Sequence, residues 1–394
     1  MPTINQRALA LAFATLFMSV AHHARADAIT DWNVKAGEIM TEAKLGTPPA
    51  VRNMALVQTA VYQAVTQANR ERASAEAAVA AANRAVLVKL IPGLQSAIDA
   101  AAQAALAKIA DGPAKTAGIV AGEQAAAFVL AQRADDAITP EDYRPHTTPG
   151  AYVPTASAAA PTWGKRKPWL MDSASQLRPA PPAPLSSEAW VRDYNEVKVL
   201  GAKASTTRSP EQTEIARFWE YSLPPIYFGV VRSVADQPGR DIARNARLFA
   251  AVAQAMDDAL ISVFDAKYQY NFWRPVTAIR NGDTDGNDAT AREANWSPLI
   301  DTPMHPEYPS GHSILAASVG AVIKADVGSD RMPTLQTSSP TAKGATRRWS
   351  DPDAFVREVS DARVYAGIHY RSATQVGTEM GTKIGSMAAQ RHLY

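Results

Sequence analysis

Between Asp27 and about Asp136, apolar residues recur with helical spacing, most clearly in AVRNMALVQTAVYQAVTQANRE and AAAFVLAQRADD. Set among Ala, Gln and charged residues, that pattern predicts several amphipathic helices. From Thr139 to about Ser187 the periodicity is lost. Pro140, Pro145, Pro149, Pro154, Pro161, Pro168, Pro179, Pro181, Pro182 and Pro184 break any helix, and Gly150 and Gly164 add turns. Tyr152, Trp163 and Trp169 offer this connection apolar area that would pin it over the helical body. The helical pattern returns at SSEAWVRDYNEVKVLG; Ser209-Pro210 reads as a helix entry with acids in the first turn. The stretch GRDIARNARLFAAVAQAMDDALISVFDAKYQYNFW supports a long buried helix or two, and ILAASVGAVI reads as another. No sustained alternation of β-branched and polar residues predicts strands, and no repeat of fixed period is present. The expected fold is all-α, a helical bundle in three stretches: an N-terminal helical region over 27–136, a Pro-rich connection packed on the body over 137–187, and a C-terminal helical region over 188–394. One compact unit over 27–394 is expected.

Residues 1–26 add a different element. Arg7, an apolar segment from Ala8 to Ala21 and Ala24-Arg25-Ala26 make a secretory signal peptide with an A-x-A cleavage site, too short for a membrane span. No other stretch of the 394 residues is long and apolar enough to cross a bilayer, so a periplasmic or secreted protein is expected. The chain has no Cys, which excludes disulfides, thiolate metal sites and a lipid-modified N-terminal Cys. Loss of Arg7 and Arg25, with no acid in that stretch, takes the formal charge from +2 to zero. Such a balance speaks against nucleic acid or an anionic membrane surface as partner. Oligomeric state is not legible.

Five histidines remain after the signal: His146, His305, His312, His369 and His392. Three of them accompany other candidate site residues. In KYQYNFWRP, Lys267 and Arg274 are seven residues apart, so one continuous helix would set both on one face, roughly 10 Å apart, where they could grip an anion. The aromatic company of Tyr268, Tyr270, Phe272 and Trp273 is unusual for a solvated basic stripe. In YPSGHS, Pro309, Ser310 and Gly311 make a turn, and a helix starting near His312 would aim free N–H groups at an anion. Ser310 adds a hydroxyl donor, and His312 could exchange a proton with an anion oxygen. In DARVYAGIHYRS, Arg363 and His369 would lie about 120° apart on an unbroken helix, so they converge only if Gly367 ends or bends it. Each element alone has an ordinary structural reading as a basic stripe, a Ser cap or a chance pair. Together they do not, since a chance Pro-Ser-Gly-His tetrad in such a chain is on the order of one in several hundred.

In this order the residues Lys267, Arg274, Pro275, Pro309, Ser310, Gly311, His312, Arg363 and His369 resemble the signature shared by vanadium-dependent haloperoxidases and type-2 phosphatidic acid phosphatases: Lys-x6-Arg-Pro, Pro-Ser-Gly-His, Arg-x5-His. The resemblance covers mainly Asp257 to Gly381; TPPAVRNMALVQTAVYQAV and SPEQTEIARFW also look like exported bacterial haloperoxidases. It implies an all-α bundle of the haloperoxidase and acid phosphatase type, holding vanadate. On that reading His369 ligates vanadium, while Lys267, Arg274, Arg363, Ser310 and the Gly311 N–H neutralise the oxygens. His312 serves as acid–base catalyst and Lys267 polarises bound peroxide. Hydrogen peroxide would oxidise halide, bromide or iodide rather than chloride, with His305 tuning halide or peroxide handling as the corresponding histidine of bromoperoxidases does. The same cage suits phosphate. The alternatives are therefore an acid phosphatase acting on small phosphate esters through a phosphohistidine at His369, with no cofactor, and a non-catalytic periplasmic oxyanion-binding protein. Many relatives carry an Asp four residues after the last histidine to orient it. Ala373 stands there in this chain, which leaves Asp258 or Asp265 as candidate substitutes from another helix. No zinc-like ligand spacing accompanies His305-Pro306-Glu307.

Overall fold

The periodicity becomes thirteen α-helices among the residues that the computed structural model describes, which are 27–136, 143–328 and 330–394. The expected signal peptide and residues 137–142 of the connection lie outside that set. The first half contains α1 (Ala28–Glu42), α2 (Thr47–Glu71), α3 (Ala75–Leu90), α4 (Gln95–Leu106) and α5 (Pro113–Gln132). After the connection come α6 (Glu188–Leu200), α7 (Pro210–Phe218), α8 (Pro224–Ala235), α9 (Ile242–Tyr270), α10 (Pro275–Arg280) and α11 (Gly311–Val327). A hairpin of β1 (Leu335–Ser339) and β2 (Ala345–Trp349) precedes α12 (Pro352–Tyr365) and α13 (Arg371–His392). Local chemistry sets several starts: the Asp27 carboxylate accepts the Ile29 and Thr30 N–H groups, and Ser209 forms a reciprocal capping box with Gln212 ahead of Pro210.

The axis of the bundle is α9. Every residue from Leu248 to Phe264 is buried, so this helix is enclosed on all sides by α2, α11 and α13. Each Leu, Ile or Phe buried there contributes about 1.5–3 kcal/mol, which makes the helix a rigid base for what its last turn carries. Asn271 ends it in the left-handed conformation (φ +49), which Asn tolerates better than most residues. This corrects the expectation that Lys267 and Arg274 share one helix: Arg274 is the N-cap of α10, and α9 ends between them.

The hairpin corrects the absence of expected strands. Its register pairs Leu335 with Trp349 and Ser339 with Ala345. Alternate residues of β1 are buried, but Leu-Gln-Thr-Ser-Ser is too polar to announce a strand. Trp349 packs on Trp219 at 5.8 Å, so the hairpin braces the segment between α7 and α8.

The described part of the connection lies along α9, held by charge as well as by its aromatics. Asp258 accepts the N–H groups of Trp169, Leu170 and Met171 at 2.7, 2.8 and 3.3 Å, and Asp257 accepts Trp169 Nε1 at 2.6 Å. Arg133 stacks on the Trp169 ring 3.7 Å away, and Arg178 grips Asp265 through two nitrogens. Asp258 and Asp265 are thus engaged with the connection and unavailable to a distant histidine.

Helix α13 meets α11 backbone to backbone. A Cβ added at Gly377, Gly381 or Gly385 would sit 2.6, 2.2 or 2.4 Å from the carbonyl oxygens of Ser310, Ile314 and Ser318. Residue 310 and the N-terminal part of α13 are locked together by this contact. All eight methionines among the described residues are buried or partly buried. The Gly381→Ala variant is expected to lose about 1–3 kcal/mol of stability in chemical denaturation, because main chain must move to admit the methyl group. Gly93→Ala, at an exposed position where a Cβ meets nothing, serves as the control and is expected to leave stability unchanged or slightly raised.

Candidate active site

Five pieces of chain bring the predicted residues together at one end of α9. The last turn of α9 supplies Lys267, and the loop after it supplies Arg274. The segment from His305 runs into Ser310, the N-cap of α11, so Gly311 and His312 occupy the first turn of that helix. Helix α12 supplies Arg363 and ends at Tyr365; Gly367 then turns the chain at φ +79, where a Cβ would strike the Gly201 carbonyl. That break redirects the chain so that His369, just ahead of α13, joins Arg363.

Lys267 is fully buried, and its Nζ donates to the carbonyls of Pro306 (2.9 Å), Glu307 (2.8 Å) and Pro309 (2.5 Å). Its three N–H donors are committed to the loop that carries Ser310. Arg274, 1% exposed, donates from Nε to the His305 carbonyl (2.9 Å) and from Nη1 to the Ile368 carbonyl (2.8 Å), with Nη1 3.3 Å from His369 Nε2. Its Nη2 lies 3.0 Å from Nδ1 of His305, whose ring meets Phe264 edge-on at 5.2 Å. His305 therefore steadies Arg274 from the outer side. Arg363, also 1% exposed, donates from Nη1 to the Trp219 carbonyl, while its buried Nε has no partner. The Ser310 hydroxyl oxygen accepts from Ser313 N (3.4 Å) and Ser313 Oγ (3.0 Å), which leaves its hydrogen free to donate elsewhere. Gly311 has open space where a Cβ would be, so no protein neighbour requires a glycine there.

His369 is held by a residue that the sequence reading did not assign to the site. Its Nδ1 lies 2.7 Å from Oε1 of the buried Glu307, and the same oxygen accepts the Tyr370 N–H at 3.0 Å. Oε1 therefore accepts a hydrogen bond from Nδ1–H and leaves Nε2 with its lone pair. This corrects the expectation that Asp258 or Asp265 would orient His369. The signal was present beside the Pro-Ser-Gly-His tetrad as an acid in an otherwise apolar run, but its partner is 62 residues away. His312 shares a backbone hydrogen bond with Trp219, and its Nε2 is buried without a partner. The sequence reading also missed Trp219, whose carbonyl meets Arg363.

Lys267 and Arg274 face Glu307, and Arg363 is attracted by Glu220. Burial drives the Lys267 ammonium well below its usual range, and the adjacent Arg274 pushes the same way. Burial brings both Arg274 and Arg363 down to about 10, and lifts Glu307 to about 8 against the pull of Arg274 and Lys267. His305, His312 and His369 all lie well below 6.5, first through burial and then through the cations, so each imidazole is neutral. Such a cluster is short of negative charge. Its unpartnered donors, the Ser310 hydroxyl and the free N–H groups opening α11 match a tetrahedral oxyanion. No group of three or more His, Asp or Glu side chains suited to a metal cation occurs among the described residues.

A family model described as the VCPO second helical-bundle domain matches residues 247–393, the stretch that contains every residue of this cluster except the Trp219 carbonyl. The vanadium chloroperoxidase of Curvularia inaequalis is 29% identical over 211 residues, 46% of this chain and 34% of that protein. The chain thus spans about a third of that relative's length. The crystal structure of the first bacterial vanadium-dependent iodoperoxidase superposes with a TM-score of 0.78 at 25% identity, covering 93% of this chain and 96% of that one. An apo-type bacterial vanadium-dependent chloroperoxidase shares the fold, with a TM-score of 0.73 at 17% identity over 89% of this chain and 96% of that one.

An anion that binds this cluster only in the folded state must raise thermal stability. Phosphate at a hundredfold excess over its Kd is expected to add about 2.7 kcal/mol, read as an upward Tm shift, and Arg363→Met is expected to lose most of that gain. A Tm independent of phosphate would remove the oxyanion site.

Proposed function

Because the chain belongs to the superfamily of vanadium-dependent haloperoxidases and type-2 phosphatidic acid phosphatases, we propose that it is a vanadate-dependent haloperoxidase. Hydrogen peroxide and a halide, bromide or iodide rather than chloride, are the substrates in this reading; the iodoperoxidase neighbour agrees with that preference and the chloroperoxidase relatives do not. The observation that carries the reading is the buried His369, whose Nε2 keeps its lone pair amid three cations. Export is part of the proposal and rests on Arg7, the apolar run after it and Ala24-Arg25-Ala26.

The residues fit the cofactor. His369 Nε2 would hold the vanadium, and Arg274, Arg363, the Ser310 hydroxyl and the Gly311 N–H would neutralise the oxygens. When bound, vanadate supplies an electrophilic centre at which hydrogen peroxide becomes reactive toward halide. Lys267 adds positive charge there and, through the carbonyls of Pro306, Glu307 and Pro309, fixes the loop that presents Ser310. His312 Nε2 takes a proton from arriving hydrogen peroxide and returns one to departing water, a role that needs the neutral imidazole its surroundings maintain. His305, Gly311 and His312 are partly exposed while the cations are not, so small substrates reach the cluster past these three residues.

The purified protein, assayed with and without orthovanadate, is expected to oxidise bromide or iodide only when vanadate is present, and His369→Ala is expected to abolish that activity. Phosphate-ester hydrolysis inhibited by vanadate would favour the phosphatase reading instead, and oxyanion binding without turnover would favour a binding protein. His312→Ala is expected to lower kcat by roughly 10²–10⁴-fold while leaving vanadate affinity in place, which equilibrium dialysis can measure.

A further inference from the structure

We infer that Glu307, in the loop before α11, is the positioning residue for His369 in a chain whose first turn of α13 offers no acid to it. This inference rests on the haloperoxidase reading above.

An acid at the third position of a helix reaches back toward the turn before it, as the capping box shows. In this chain that position holds Ala373, which is buried and whose carbonyl accepts the Ser310 N–H at 3.0 Å. As an alanine it brings no carboxylate to His369. Glu307 approaches from the opposite wall and is fixed at four points. Its N–H donates to the Phe272 carbonyl (2.9 Å), its carbonyl accepts from Lys267 Nζ (2.8 Å), and its Oε1 accepts from Tyr370 N (3.0 Å) and His369 Nδ1 (2.7 Å). Backbone and side chain of one residue thereby join three parts of the cluster: Lys267, the segment around Arg274 and the proposed vanadium ligand. A merely structural acid would need none of these partners in common. By accepting from Nδ1–H through Oε1, Glu307 sets which imidazole nitrogen carries the proton and leaves the other to face a metal centre.

The test compares two oxyanions of the same shape. Orthovanadate would bind with a bond to His369, whereas inorganic phosphate would be held by the cations and N–H donors alone. In equilibrium dialysis, Glu307→Met is expected to weaken vanadate binding roughly 10–100-fold while phosphate binding stays near wild type. Glu307→Gln, which keeps the acceptor oxygen and the shape, is expected to weaken vanadate less, and it supplies the measurement if Glu307→Met fails to fold. Adding Ala373→Asp to Glu307→Met is expected to restore vanadate affinity, an outcome that a purely structural role for Glu307 does not produce. Parallel loss of vanadate and phosphate binding, or vanadate binding unchanged in both single variants, overturns the inference and leaves the haloperoxidase reading intact. Wild-type protein that binds vanadate no better than phosphate overturns that reading and the inference together.

Discussion

Everything at the open end of α9 follows from the burial of three cations within reach of one another. A buried cation without a counter-charge is costly; Lys267 and Arg274 share Glu307, and Arg363 is attracted by Glu220. The fold offsets part of that cost with carbonyl oxygens: those of Pro306, Glu307 and Pro309 for Lys267, those of His305 and Ile368 for Arg274, and that of Trp219 for Arg363. Each of these contacts fixes a loop as well as a charge. The chain around the site is irregular because its backbone acceptors must face inward, and it stays rigid because cations hold it there. What remains uncompensated is a demand for anionic charge.

That demand explains the surrounding architecture. The aromatic cluster of Trp190, Phe272, Trp273, Tyr308 and Tyr370 backs the loops and keeps water from screening the cations. The glycine contacts of α13 bring Ser310 and the helix that follows His369 to backbone distance. The hairpin reaches the site through Trp349 and Trp219, so even the least helical element serves the position of a carbonyl oxygen.

Much of this was legible in the sequence, for identifiable reasons. Helices announced themselves by period and by caps such as Ser209-Pro210, and the Gly367 break was readable because Arg363 and His369 cannot converge on an intact helix. The cluster itself was readable as an ordered set of rare residues, and the stretch over 242–270 as part of a long buried helix or two. What stayed hidden depends on contacts distant in sequence. Asn271 as a helix terminator looks like any other Asn, and the polar strand 335–339 shows its alternation only once one side is covered. The pairing of Glu307 with His369 and the inward Trp219 carbonyl have no local pattern at all, since a main-chain acceptor is the same in every residue.

The burial of the methionines, joined to the absence of cysteine, has a bearing on durability. Thiols and thioethers are the protein groups most readily attacked by halogen-based oxidants, and attack follows exposure. Here the first kind is missing from the sequence, and none of the second is exposed among the described residues. Among the described residues such a chain offers its surroundings almost no soft sulfur to consume. A halogen-based oxidant arriving at the described surface would find no exposed thioether, and near the cluster the side chains it would meet first are the imidazoles of His305 and His312.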